Sequence, residues 1–201
     1  CDLRDKEQVR SLRSFHLLAG CLRANATLTC LSLRSLNNEH VEPLSEALRW
    51  NSHLKELKLE HPTKGNDSMV TSLPVQQLNG SRKTKTIDIS GAGEAIVSGK
   101  REMAHCSRFA CAMVGALLAE NSSVEALKVN PGSASEGGAF LEHLHRAKTS
   151  SLHTLDLSAI GLGDRGGAKL FESLHTGMCP MITTFKLGNN MLADQAVGPL
   201  M

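Results

Sequence analysis

Tyrosine is absent from this 201-residue chain, and aromatic residues make up only 3% of it. With so few rings to stack bases, a platform for single-stranded nucleic acid is not expected. An excess of one charge is missing too. The 22 basic and 20 acidic side chains leave a net +2, whereas a nucleic-acid surface needs a clearly basic face. No apolar run approaches the roughly 18 residues of a membrane span; the longest, FACAMVGALLA at 109–119, stops well short. The six cysteines (Cys1, Cys21, Cys30, Cys106, Cys111 and Cys179) contain no C-x-x-C pair. They are read as buried free thiols, which points to a reducing, intracellular and cytoplasmic setting. No Ser–His–Asp, Cys–His or paired-carboxylate arrangement recurs at catalytic spacing. The chain is therefore expected to be no enzyme, with no catalytic, metal or cofactor residue assigned.

One stretch does look like a phosphate cradle: TIDISGAGEAIVSG, residues 86–99. A dinucleotide fingerprint would need a third glycine where Ile96 stands, and a P-loop would need Ser or Thr where Arg101 follows Lys100. The loop is read as a glycine-bearing turn.

What is present is repetition. The runs LTCLSL, LKELKL, TIDIS, VEALKV, TLDLS and TTFKL fit one L-x-x-L-x-L template, anchored at Leu31, Leu57, Ile87, Leu127, Leu155 and Phe185. The anchors recur about every 28 residues, with one longer step from Ile87 to Leu127. Between them lies a second signal, L-x-x-x-L-x-x-N: Leu18, Leu22, Asn25; Leu44, Leu48, Asn51; Val114, Leu118, Asn121. That spacing places the three on one helical face, and the Asn is expected to leave the helix in a left-handed turn. Pro74 falls where Leu44 sits one unit earlier and should shorten or break that helix. Each unit then reads as strand, turn, helix and return turn, and a helix crossover between strands implies a parallel sheet.

On the motifs LLAGCLRANATLTCLSL, LSEALRWNSHLKELKL, ALLAENSSVEALKV and LGNNMLADQAVGPL, the chain resembles the leucine-rich repeats of the ribonuclease-inhibitor type. The resemblance implies an α/β leucine-rich-repeat solenoid, a horseshoe with parallel strands on the concave face and helices on the convex face. The expected organisation is a single array of about six units over 1–201, a fragment of a longer chain, with an insertion at 91–102 in the third unit. Only Asn190 with Leu192 matches the Asn that the family places after a strand, so the other strand exits are expected to lack an Asn hydrogen-bond ladder.

In a strand, alternate residues face opposite sides, so the positions between the anchors give the inner face. The middle column, Ser32, Lys58, Asp88, Lys128, Asp156 and Lys186, alternates in sign from Lys58 onward, and each charge is expected to meet an opposite one on the next strand. The candidate partner-binding residues on this concave face are Arg34, Glu56, Lys58, Glu60, Asp88, Lys128, Asp156 and Lys186. The function expected is a non-catalytic protein–protein interaction scaffold, a structural segment of a larger intracellular protein or multi-subunit assembly. Its partners are proteins, with no nucleic acid and no direct membrane insertion. The resemblance also offers a GTPase regulator of the Ran-activating type, or the ligand-sensing array of an immune-type receptor. Both ends stop in mid-unit, and flanking sequence or a neighbouring subunit is expected to cover them.

Overall fold

A computed structural model describes residues 12–62, 68–97, 100–104, 106–131, 139–140, 142–143, 151–158, 163–175 and 181–193. Nine strands are described: β1 (Cys30–Arg34), β2 (Glu56–Pro62), β3 (Ser68–Pro74), β4 (Thr86–Asp88), β5 (Gly93–Val97), β6 (Lys100–Ala104), β7 (Ala126–Lys128), β8 (Thr154–Asp156) and β9 (Thr184–Lys186). The helices used below are α1 (Leu12–Ala24), α2 (Val41–Arg49), α3 (Val75–Leu78), α4 (Arg108–Leu118) and α5 (Gly163–His175).

Each expected anchor lies in a strand, and the parallel pairs join anchor to anchor: Leu31 with Leu57, Ile87 with Leu127, Leu127 with Leu155, and Leu155 with Phe185. The alternation is also physical. Leu31, Leu33, Leu57, Leu59, Ile87 and Ile89 are buried while the residues between them reach solvent. Strand anchors and helix faces from Phe15 to Leu170 form one hydrophobic cluster.

The expected single parallel sheet of a leucine-rich-repeat horseshoe is corrected by the topology. The strands form a mixed five-stranded sheet, β1-β2-β3-β5-β6, and a separate parallel four-stranded sheet, β4-β7-β8-β9. Leu57 does not meet Ile87; its partner on that side is Leu73 of the antiparallel β3. β3 is paired in turn with β5, and β5 with β6, all antiparallel. The edge of β2 that a parallel β4 would have used is thus already hydrogen-bonded, and an occupied edge ends a parallel run. The 91–102 segment, expected as an insertion, lies largely in β5 and β6.

Pro74 explains the thin helical layer at this break. It closes β3, and the helix beginning at Val75 is only four residues long. Over the short α3, α2 packs directly on α4, and Arg49 pairs with Glu120 at 3.0 Å. Gly115 of α4 faces the backbone of residue 140 so closely that a Cβ would collide with the Phe140 carbonyl oxygen.

The turns after the helices hold the units together. Asn25 Oδ1 accepts from the N–H groups of Thr27 and Leu28. Asn51 repeats this with His53 and Leu54, and its amide also donates to Leu22 O (2.5 Å) and Asn25 O (3.1 Å) of the preceding unit. Asn79 donates to Leu48 O (2.7 Å) and Asn51 O (2.9 Å). Asn121 then donates to Gln77 O (2.8 Å) and Leu78 O (2.9 Å). The expected left-handed geometry is not what suits Asn to these turns. Among the described residues, positive φ occurs at Ser35, Asn189, Met191, Gly80 and Gly163, not at these asparagines. Their role is the two-sided amide, which donates backwards and accepts from its own turn.

Two outcomes follow for stability. Asn51→Ala strands buried carbonyl and N–H groups on both sides and should cost about 2–4 kcal/mol, while Asn25→Ala, with only its own turn to serve, should cost about 1 kcal/mol or less; denaturant midpoints compare them. Gly115→Ala should cost about 1–3 kcal/mol by overpacking against backbone, in spite of alanine's better helix propensity, and the same titration reads it.

Candidate functional site: the polar faces of the two sheets

The eight residues expected on one inner face divide into two groups. Arg34, Glu56, Lys58 and Glu60 stand on β1 and β2 of the mixed sheet, whereas Asp88, Lys128, Asp156 and Lys186 stand on the parallel sheet. All eight project from the side opposite the buried anchors and are half-buried or exposed.

On the mixed sheet the register sets Arg34 opposite Glu60, and the guanidinium meets the carboxylate at 2.5 Å. Lys58 reaches Glu56 of its own strand at 3.7 Å. The Cys30 thiol donates to the same Oε2 of Glu56 at 3.6 Å; partial burial and that negative charge raise its pKa. Such a thiol is a poor nucleophile, because the thiolate is the reactive form. The expected attraction between Lys58 and Asp88 does not form as a strand-to-strand step, since these residues belong to different sheets and Lys58 faces Ser72 across β3.

On the parallel sheet the alternation is present. Lys128 lies 3.6 Å from Asp88, and Asp156 is paired in register with Lys128 on one side and Lys186 on the other. Each aspartate also closes a turn at its strand end. Asp88 Oδ1 accepts from the Ser90 hydroxyl (2.7 Å) and N–H (3.0 Å), and Asp156 Oδ1 accepts from the Ser158 N–H (3.0 Å). The Ser90 bonds, with Lys128 behind them, hold the Asp88 carboxyl below its ordinary pKa. Burial alone would raise Asp156, but the Ser158 bonds and the charges of Lys186 and Lys128 outweigh it, and its pKa is also lowered. These exposed pairs set charge positions more than they stabilise, since surface ion pairs contribute about 0–1 kcal/mol.

Beyond the strands, Lys85 of the basic run at 81–85 pairs with Glu125 at 3.0 Å. Of the described cysteines, Cys106 and Cys111 are buried and free as expected, but Cys21 and Cys30 are exposed. Ser107 caps α4 by accepting from Ala110 N–H, so Cys106 precedes the cap and Cys111 is the fourth helical residue. Those positions form a hydrophobic staple. Burial pushes the Cys106 thiol up to about 12, which fits a packing role.

An open cleft of about 540 Å³ was not legible in the sequence. It lies where β3 folds back beside α4, lined by Leu36, Asn37, Glu39, His61, Met69 and Arg108 among others. Apolar floor and mixed-sign rim give it no dominant charge. Only the antiparallel return of β3 brings these distant positions together, so no motif could have announced it. Among the described residues no three His, Cys, Asp or Glu side chains are grouped to hold a metal ion, and no helix is long and apolar enough to cross a membrane. No protein-family model matches the chain, and no curated protein matches it either.

The two lowered carboxyl groups carry a pH sign. A carboxylate whose pKa is lower folded than unfolded stabilises the fold above the unfolded value and loses that contribution as pH falls through the folded value. Asp88→Asn and Asp156→Asn should each flatten the loss of thermal stability below about pH 4, with a smaller loss at neutral pH than at any buried position. Thermal melts of the variants between neutral and acid pH check this.

Proposed function

We propose that this chain is a non-catalytic protein–protein interaction segment, a scaffold within a larger intracellular protein or assembly. The observation that supports it best is the exposure of two rigid polar sheet faces, backed by one continuous core, with their charges at fixed spacing. Asp88, Lys128 and Asp156 stand in strands whose opposite face is buried, so packing sets their positions, while Lys186 stands in a strand whose opposite face, at Phe185, is half-buried. Thr86, Thr154, Thr184, Ala126, Ser90 and Ser158 flank that row. Small side chains of this kind let a partner's backbone approach closely, and fixed charges of both signs discriminate among partners more than they add affinity. The free thiols support the intracellular, cytoplasmic placement.

Lysine crosslinking of the native protein in its own cell extract, with linked residues mapped by mass spectrometry, tests this reading. Links from Lys58, Lys128 or Lys186 to one stoichiometric protein are the expected result. Links confined to Lys83 or Lys85, which lie in the turn before β4, would remove the sheet faces as the site, and a purified chain that turns over a substrate would end the non-catalytic reading.

A further inference from the structure

Asn79–Gly80 is the only Asn-Gly dipeptide in the chain, and it stands at the break between the two sheets. Both residues serve the fold there. The Asn79 amide donates to Leu48 O and Asn51 O, and its Oδ1 accepts from the Ser81 N–H (3.0 Å) and hydroxyl (2.8 Å). Gly80 holds φ +80, where a side chain is strained. The same dipeptide has a chemistry of its own, because a glycine nitrogen has no neighbouring side chain to obstruct its approach to the asparagine carboxamide.

That chemistry is an intramolecular cyclisation. The Gly80 backbone nitrogen gives up its proton to solvent and bonds to Asn79 Cγ. The Cγ–Nδ2 bond breaks, and the nitrogen leaves as ammonia with a proton taken from water. A second water then opens the five-membered succinimide at one carbonyl or the other. One opening leaves aspartate in the normal chain, the other isoaspartate with the chain running through Cβ and Cγ. The net change is one water consumed and one ammonia released, with no oxidant or reductant involved.

In the folded turn two features oppose one another. The bonds from Ser81 would assist attack, since donors on Oδ1 stabilise the negative charge that develops there. The nucleophile, however, is out of place. Ring closure needs Gly80 N to eclipse the Cβ branch of Asn79, whereas ψ −1 at Asn79 eclipses it with that residue's own nitrogen. A polarised acceptor gains nothing from a nucleophile that is not aligned with it. Reaction therefore waits for rotation about the Asn79 Cα–C bond, which carries Ser81 away and undoes the turn. The helix before it has four residues, and Asn79 and Gly80 are half-buried, so this is a short, solvent-reached element of the kind that opens locally.

The turn does not close again as it was. A carboxylate has no N–H to give, so Leu48 O and Asn51 O lose their donor and face a negative oxygen. Isoaspartate also adds a carbon to the backbone. We infer that Asn79–Gly80 is a deamidation site gated by the fold: unreactive while the turn is formed, reactive when it opens, and irreversible once reacted. The joint between the sheets thereby keeps a chemical trace of its own opening. This chemistry does not depend on the scaffold reading.

Timed incubation of the 1–201 chain at neutral pH, folded or held unfolded in urea, tests it. Peptide mass spectrometry reads conversion at each asparagine and separates aspartate from isoaspartate by elution. In urea Asn79 should react ahead of every other asparagine, and Gly80→Ala, measured in the same unfolded state, should slow it severalfold. In the folded chain Asn79 should react at least ~10-fold more slowly than in urea, because only the open fraction reacts. Asn79→Asp should lower the denaturant midpoint, and failure to fold is the same result in its extreme form. The inference is overturned if Asn79 stays intact or trails another asparagine in urea, or if Gly80→Ala reacts as fast. Equal rates in the folded and unfolded chain overturn it too, as does an Asn79→Asp variant with an unchanged midpoint.

Discussion

One side-chain amide, repeated, connects what the strands do not. At Asn51, Asn79 and Asn121 the carboxamide donates back to the carbonyls at the end of the preceding unit, and at Asn51 and Asn121 its oxygen also accepts from the turn leading into the next strand. A buried carbonyl at a helix end needs a donor, and in each case the donor comes from the next unit. The strands break into two sheets between β2 and β4, yet this run of amides crosses the break without interruption. The parallel sheet is therefore tied to the mixed one on the helix side, with Arg49–Glu120 and the α2–α4 contact beside it, as well as by the short link from β4 to β5, where Ala92 O accepts from Ser72 N–H.

Crossing the break requires an adjustment, and it is visible. Asn51 and Asn79 reach the carbonyls three residues before, and at, the preceding asparagine, whereas Asn121 reaches Gln77 and Leu78, both just before Asn79. Gly80 adopts φ +80 and lies against the Asn121 side chain, with a virtual Cβ 3.5 Å from it. A residue with a side chain is disfavoured at such a φ. A single glycine thus absorbs the change of spacing between a four-residue helix and an eleven-residue one.

Much of the local order was legible in the sequence because it follows from periodicity. The alternation around Leu31, Leu57, Ile87, Leu127 and Leu155 could only satisfy burial with those side chains inward, and the helical spacing brought Asn25, Asn51 and Asn121 to the turns. Asn79 was missed because Pro74 destroyed the helical pattern that would have flagged it. β3 was missed for a related reason: SMVTSLP occupied the place of a helix in the repeat, while its β-branched and apolar residues suit a strand. The candidate site shared that fate. The alternating charges were readable as a list, but their grouping depended on which strand Lys58 would meet, and that was decided by the edge of β2. The cleft beside α4 depends on tertiary approach and leaves no spacing signal.

The antiparallel strand next to β2 also has a meaning in time. For β2 to pair with β4, the chain must close the stretch 63–85 and deliver a crossover helix that Pro74 has cut short. For β2 to pair with β3, it must close only the stretch 63–67. Short closures precede long ones, both because they cost less chain entropy and because local contacts form sooner. During synthesis β3 also leaves the ribosome before β4 does. β4 finds its own partner only in β7, some forty residues further on. The divided sheet is the arrangement in which β2 takes the partner with the shortest closure rather than the one the repeat would supply.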